Sequence, residues 1–174
     1  KQADLRQFMA GGKFAKIAIP VRDDQGRLCN IRLYQPGAKQ YKVISWSDPI
    51  CHACGAEWTK KNKQKLCSGC GAFPIDYGRQ RLLPPPSKWG KGILFLVEGE
   101  SDWICALSQG LNAVTQTAGA GSWMLRADEF NPQFAGRDVV IAYDADKPGF
   151  DGAVLTAKAL AEHAKSVRVL VWPE

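Results

Sequence analysis

The stretch RDVVIAYDADKPGFDGA, Arg137 to Ala153, constrains this chain more than any other. Asp138 to Tyr143 read as an apolar run rich in valine and isoleucine, the pattern of a strand buried on both faces of a parallel sheet. Two carboxylates follow immediately, Asp144 and Asp146, two residues apart, so extended backbone sends both side chains to the same side. Pro148-Gly149 then supplies a turn into a helix. This is the carboxyl edge of a sheet, where open α/β folds place their chemistry.

A second stretch repeats the pattern. Gly92-ILFLV-Glu98-Gly99-Glu100-Ser101-Asp102 is again a short apolar strand that ends on an acid, followed by glycine and a helix. Carboxylates crowded at strand ends repel one another and lose hydration. A divalent cation offsets that cost, and Mg²⁺, which takes one or two carboxylates and leaves places for phosphate oxygens, suits such a set.

An apolar strand ending in EGxxD, then some forty residues later a strand ending in DxDxxG, resembles the topoisomerase-primase (TOPRIM) domain. The matching residues are Glu98, Gly99 and Asp102, then Asp144, Asp146 and Gly149, within a span of about Gly92 to Pro173. The segment IPVRDDQGRLCNIRLY also resembles the basic subdomain that precedes this domain in bacterial-type primases. The resemblance implies a primase-type catalytic core using Mg²⁺ or Mn²⁺. Glu98 would then lie nearest the reacting centre as metal ligand or proton acceptor, and Asp144 and Asp146 would carry the metals. Asp102 would be a ligand or a supporting group, or simply a first-turn acid favouring its helix dipole. Lys147 would reach a nucleotide phosphate or relieve the acid cluster; Glu100 and Asp151 are weaker candidates.

Charge is segregated along the chain. Residues 1–92 hold 17 Lys and Arg against 6 Asp and Glu, whereas residues 93–174 hold 6 against 11, within a net charge of +6. That division suits a phosphate-binding front half and a metal-binding back half better than a uniformly solvated surface. No run approaches the ~18 to 20 apolar residues of a membrane span and no signal peptide opens the chain, so the expectation is a soluble, cytoplasmic protein without a membrane partner. The chain begins at Lys1 without an initiator methionine and stops just after an expected strand, as a fragment of a longer protein would.

Of the six cysteines, Cys51, Cys54, Cys67 and Cys70 form two CxxC knuckles, each followed by glycine. Four thiolates at this spacing suit tetrahedral Zn²⁺. Cys29 and Cys105 read as small buried hydrophobes. Lys60, Lys61, Lys63 and Lys65 lie between the knuckles beside Trp58, a combination suited to single-stranded nucleic acid or to a solvated loop; Arg79 and Arg81 extend the same surface.

In chain order, Asp4 to Ala10 read as a short helix, Lys16 to Arg22 and Arg27 to Tyr34 as a hairpin turning at Asp24-Gln25-Gly26, and Lys39 to Trp46 as a third strand. Pro84-Pro85-Pro86 reads as a stiff connector, with the sheet domain starting near Lys88. Strands and helices then alternate: strand Ile93 to Val97, helix Ser101 to Gln109, strand Asn112 to Thr117, a Gly119-Ala120-Gly121 turn, helix Trp123 to Phe130, strand Asp138 to Tyr143, helix Phe150 to His163, strand Val167 to Trp172. Alternation of this kind predicts an α/β fold, a parallel sheet with helices on both faces. The expected domains are a basic β-rich subdomain (1–48), a zinc-ribbon insertion (49–76), a proline-rich connector (77–91) and a TOPRIM domain (92–174).

The expected function is that of a DNA primase: nucleotidyl transfer making short primers, with single-stranded DNA as template, ribonucleoside triphosphates as substrates and a replicative helicase, fused or separate, as partner. Two alternatives stand beside it, a non-catalytic recombination-mediator-like DNA-binding protein and a TOPRIM nuclease. The zinc knuckles depart from the familiar bacterial primases, which carry theirs at the far N-terminus rather than between the basic strands and the TOPRIM domain.

Overall fold

The computed structural model describes residues 6–8, 16–26, 28–37, 43–45, 69–70 and 80–173. Two compact units divide between Arg79 and Gln80.

In the first unit, β1 (Arg6–Phe8), β2 (Lys16–Arg22), β3 (Leu28–Tyr34) and β4 (Val43–Ser45) form an antiparallel sheet in the order β1-β2-β3-β4. The β2–β3 hairpin turns at Gly26, whose φ of 80° lies in the left-handed region that glycine enters without a Cβ penalty. The Asp23 side chain accepts from the Gln25 N–H at 3.0 Å, and the Asp23 carbonyl accepts from the Gly26 N–H at 2.9 Å. A bulge at Val21/Arg22 absorbs the mismatch between the strands, while Ala18, Ile19, Val21 and Leu33 are buried.

Residues 6–8 correct one expectation. The stretch expected to be a short helix pairs as a strand along β2, Arg6 opposite Ala18 and Phe8 opposite Lys16. A segment this short gains too little from local helix propensity to resist completing a ladder. Cys51, Cys54, Cys67, Lys60, Lys61, Lys63, Lys65 and Arg79 lie outside the described residues. Cys70 forms an exposed turn with Gly69.

The second unit holds β5 (Leu82–Leu83), β6 (Leu94–Val97), α1 (Glu100–Ser108), β7 (Ala113–Gln116), α2 (Ala127–Phe130), β8 (Asp138–Ala142), α3 (Lys147–Leu160) and β9 (Ser166–Val169). Its described strands run β5-β7-β6-β8-β9. Pairing is parallel from β7 to β9, and β5 adds antiparallel along β7. The chain therefore joins the sheet at Leu82, ahead of Pro84-Pro85-Pro86, rather than after them near Lys88.

Right-handed crossovers fix the layers. The connection from β6 through α1 to β7 and the connection from β8 through α3 to β9 run in opposite directions across the sheet, so α1 and α3 fall on opposite faces. On the α3 face Leu94, Leu96, Val139 and Ile141 are fully buried, packed with Trp123, Phe134, Ala153 and Leu160. The opposite face is thinner: Phe95, Val140 and Ala142 are half-buried. Burial on the two sides of the sheet is thus unequal, not complete on both as the apolar run suggested.

The inward face of α3 runs Gly149, Gly152, Ala153, Thr156 and Leu160. On α1 it runs Glu100, Trp103 and Ala106, and the Trp103 indole donates to the Ala113 carbonyl at 3.1 Å. That face leaves Cys105 exposed, contrary to its reading as a buried hydrophobe. The helix expected over Trp123 to Phe130 is broken into a 3-10 segment Ala120–Arg126, the single turn α2 and a second 3-10 segment Asn131–Phe134. Trp123 is buried at 1% exposure with its indole N–H on Asn131 Oδ1 at 3.0 Å, which holds the three short pieces to one anchor.

Candidate active site

The strand order places β6 in the middle of the parallel run. From there the chain goes to β7 on one side and returns across to β8 on the other. The crevice outside the carboxyl ends of β6 and β8 is therefore the topological switch point, where open α/β sheets bind ligands. Glu98 follows β6 and Asp144 follows β8 by two residues.

Backbone donors hold three of the acids. The Asp144 N–H donates to Glu98 Oε2 at 3.0 Å, joining the two strand ends. The Gly99 N–H donates to Asp102 Oδ2 at 3.1 Å, so Asp102 ties down the start of α1. Asp146 is the N-cap of α3 and accepts from the Gly149 N–H at 2.8 Å. Gly149 has a steric reason to be glycine: a Cβ there would overlap the carbonyl oxygen of Asp144 and lie 3.0 Å from its nitrogen. The first turn of α3 thus packs directly on the backbone that presents Asp144.

The acids interact electrostatically. Partial burial pushes the Glu98 carboxyl above its ordinary value, the Asp144 N–H offsets part of this, and repulsion from Asp144, Asp146 and Asp102 adds to it. Asp102 is likewise raised, first by burial and next by the Asp144 charge, against the opposing effect of its cap hydrogen bond. Asp144 and Asp146 are exposed. Among the described residues, no three acid, histidine or cysteine side chains converge into a ready-made metal cage. Mg²⁺ does not need one, since it keeps water and uses one or two carboxylates, so hard oxygen donors crowded at one crevice fit such a cation.

The remaining candidates separate. Lys147 pairs with Asp151 at 2.7 Å, both exposed, an i,i+4 helix pair of small energetic weight. Glu100 is buried at 4% exposure in the first turn of α1. Arg81 lies at the carboxyl end of β7: its N–H donates to Thr117 Oγ1 at 3.1 Å and its carbonyl accepts from the Thr117 N–H at 3.0 Å. It therefore stands on the same edge of the sheet as the acids.

Two features escaped the sequence reading. Tyr143, directly before Asp144, is buried, and desolvation pushes its hydroxyl up to about 12. A cleft of about 540 Å³ opens between α3 and the end of β9, lined in part by Asp144, Asp146, Phe150 and Trp172. Sequence gave little signal for it, because Trp172 read as the end of a strand that in fact stops at Val169.

No protein-family profile matches the sequence, and no curated protein matches it significantly. Solved structures do match. The primase fragment of the bacteriophage T7 primase-helicase protein superimposes with a TM-score of 0.61 at 17% identity, covering 98% of this chain and 58% of that one. The Aquifex aeolicus primase, comprising zinc-binding and RNA polymerase domains, gives 0.56 at 18% identity, covering 98% and 38%. The DnaG primase catalytic domain bound to single-stranded DNA gives 0.53 at 20% identity, covering 91% and 44%. The chain has the fold of a bacterial or phage primase catalytic core. It spans between about two fifths and three fifths of those primase chains. Within this primase-like fold, the acids named from the EGxxD and DxDxxG motifs lie at the switch point of the sheet.

Proposed function

We propose that this chain is a primase-type nucleotidyl transferase core that extends short RNA primers on single-stranded DNA. The observation that carries the reading is the Glu98–Asp144 junction at the β6/β8 switch point of a primase-like fold.

In this reading Asp144 and Asp146 hold Mg²⁺ or Mn²⁺, with Glu98 and Asp102 as further oxygen donors. The bound cation would supply neutralisation of phosphate charge as the bond to pyrophosphate breaks. Glu98 takes the proton of the attacking 3′-hydroxyl. The hydroxyl oxygen bonds the α-phosphorus of a ribonucleoside triphosphate, the α–β phosphoanhydride bond breaks and pyrophosphate leaves. The Asp144 N–H keeps Glu98 at the crevice, while Lys147 and Arg81 offer positive charge to phosphates along the same edge.

The basic first unit is assigned to the template. Lys60, Lys61, Lys63, Lys65 and Arg79 would neutralise phosphates of single-stranded DNA, with Arg81 extending the set from the sheet unit, and Cys51, Cys54, Cys67 and Cys70 would hold a structural Zn²⁺. A helicase partner is suggested by the T7 neighbour, which is a primase-helicase protein. No helix among the described residues is long and apolar enough to cross a membrane.

The test is incubation of the chain with labelled ribonucleotides, Mg²⁺ or Mn²⁺ and single-stranded DNA of mixed sequence. Short template-dependent RNA is the expected product. Shortened template without RNA would assign the site to phosphodiester cleavage, and DNA binding without either product would assign it to a non-catalytic mediator.

A further inference from the structure

The cleft beside the acids has walls that the reaction chemistry does not require. Phe150, in the first turn of α3, is 50% exposed, and Trp172, past the end of β9, is 48% exposed. Both line the same cavity of about 540 Å³, whose other side chains include Val169 and Leu170. The two half-exposed aromatic rings offer flat apolar faces to whatever enters the cleft.

A hydrogen bond positions the Trp172 ring, and the first turn of α3 carries Phe150. The Trp172 indole N–H donates to the Tyr143 carbonyl at 2.7 Å, one residue before Asp144. The Phe150 N–H donates to the Asp146 carbonyl at 3.0 Å. Asp144, Asp146 and Lys147 line the same cleft, so it is continuous with the acid site. Its volume falls in the range of small-molecule sites, ~300 to 1,000 Å³.

We propose that this cleft is a nucleobase-stacking site, with Phe150 and Trp172 as its walls, that receives the base of a nucleoside triphosphate whose phosphates reach the acids. The proposal rests on the reading that Asp144 and Asp146 hold a divalent cation. Charge complementarity selects the occupant. A bare triphosphate would be repelled by Asp144, Asp146 and Asp151, whereas one arriving with a divalent cation brings the charge that these acids need, and Lys147 adds one more. Stacking on aromatic faces tolerates every base, so the site should discriminate little among the four nucleotides.

The experiment is calorimetric titration of the full chain with ATP and, separately, with tripolyphosphate, both in excess Mg²⁺. Phe150→Ala should weaken ATP binding about 5- to 150-fold while leaving tripolyphosphate within about twofold, and Phe150→Tyr should restore ATP. Trp172→Phe, which keeps a ring but loses the hydrogen bond, should fall between. Unchanged ATP affinity in Phe150→Ala, or equal loss for both ligands, overturns the stack. So does a change in sedimentation behaviour without a change in ATP affinity, which would make the cleft a protein-protein contact. Primer synthesis separates the two readings. RNA made by Phe150→Ala with wild-type KM for ribonucleotides sinks the stack alone. The expected ATP pattern in a wild-type chain that makes no RNA sinks the primase reading alone.

Discussion

The backbone N–H of Asp144 donates to Oε2 of Glu98 at 3.0 Å, bridging residues 46 apart in sequence. It continues the β6–β8 ladder, in which Val97 lies opposite Ala142, by one more contact made with a side chain. Asp102 is tied in turn to Gly99, and Asp146 to Gly149. Glu98, Asp102 and Asp146 are therefore each held by a main-chain N–H. That arrangement keeps repelling charges near one another, and burial and repulsion raise the carboxyls of Glu98 and Asp102.

The first consequence concerns pH. Glu98 has a folded-state pKa above its ordinary 4.5, so the folded chain binds that proton more tightly than the unfolded one. Its contribution is fully favourable below about 4.5 and is lost as pH rises through the raised value. Glu98→Gln should raise the Tm of metal-free protein at pH 7.5, and the gain should shrink as pH falls toward 4.5. Its amide oxygen can still accept from Asp144. Differential scanning calorimetry at several pH values checks this; a gain independent of pH would contradict it.

Asp102 separates a cap from a charge. Asp102→Asn keeps an oxygen for the Gly99 N–H and removes a repelled carboxylate, so the metal-free fold should be as stable as wild type or more so. Asp102→Ala loses the cap and should be less stable than the Asn variant by about 1 kcal/mol. Urea denaturation of the pair measures the difference.

Gly149→Ala tests the packing beneath Asp144. The added methyl meets the Asp144 backbone rather than a flexible side chain, so the strand end or the helix must move. A loss on the order of 2 kcal/mol is expected, with Mg²⁺ affinity falling as well because Asp144 shifts. Denaturation and metal titration of the same sample report both effects.

Much of this was legible in the chain because the two kinds of information were local. The EGxxD and DxDxxG stretches carry an apolar strand, an acid and a helix start within a dozen residues each, and Glu98, Asp144 and Asp146 stand at the strand ends where they were expected. The hairpin around Gly26 was equally readable from its turn. What failed depended on distant partners. Arg6–Phe8 became a strand only because β2 offers it a ladder, and Leu82–Leu83 joined the sheet through β7, on the far side of the prolines. The aromatic cleft was hidden for the same reason: Phe150 and Trp172 line one cavity through the return of β9 alongside β8.

For the first unit, the four cysteines predict one Zn²⁺ per chain. Elemental analysis of metal-replete protein should find it, and strong chelation should loosen the first unit while leaving the Gln80 unit folded. Protein that is replete yet free of zinc would contradict the assignment of Cys51, Cys54, Cys67 and Cys70.

The most direct measurement is primer synthesis by wild type, Asp144→Asn and Asp146→Asn in parallel, with labelled ribonucleotides, Mg²⁺ and single-stranded DNA. The prediction is template-dependent RNA from wild type and a loss of at least about 100-fold in each variant, with circular dichroism unchanged. Wild-type RNA yield from either folded variant would contradict the assignment of the acids at the β6/β8 crevice to catalysis.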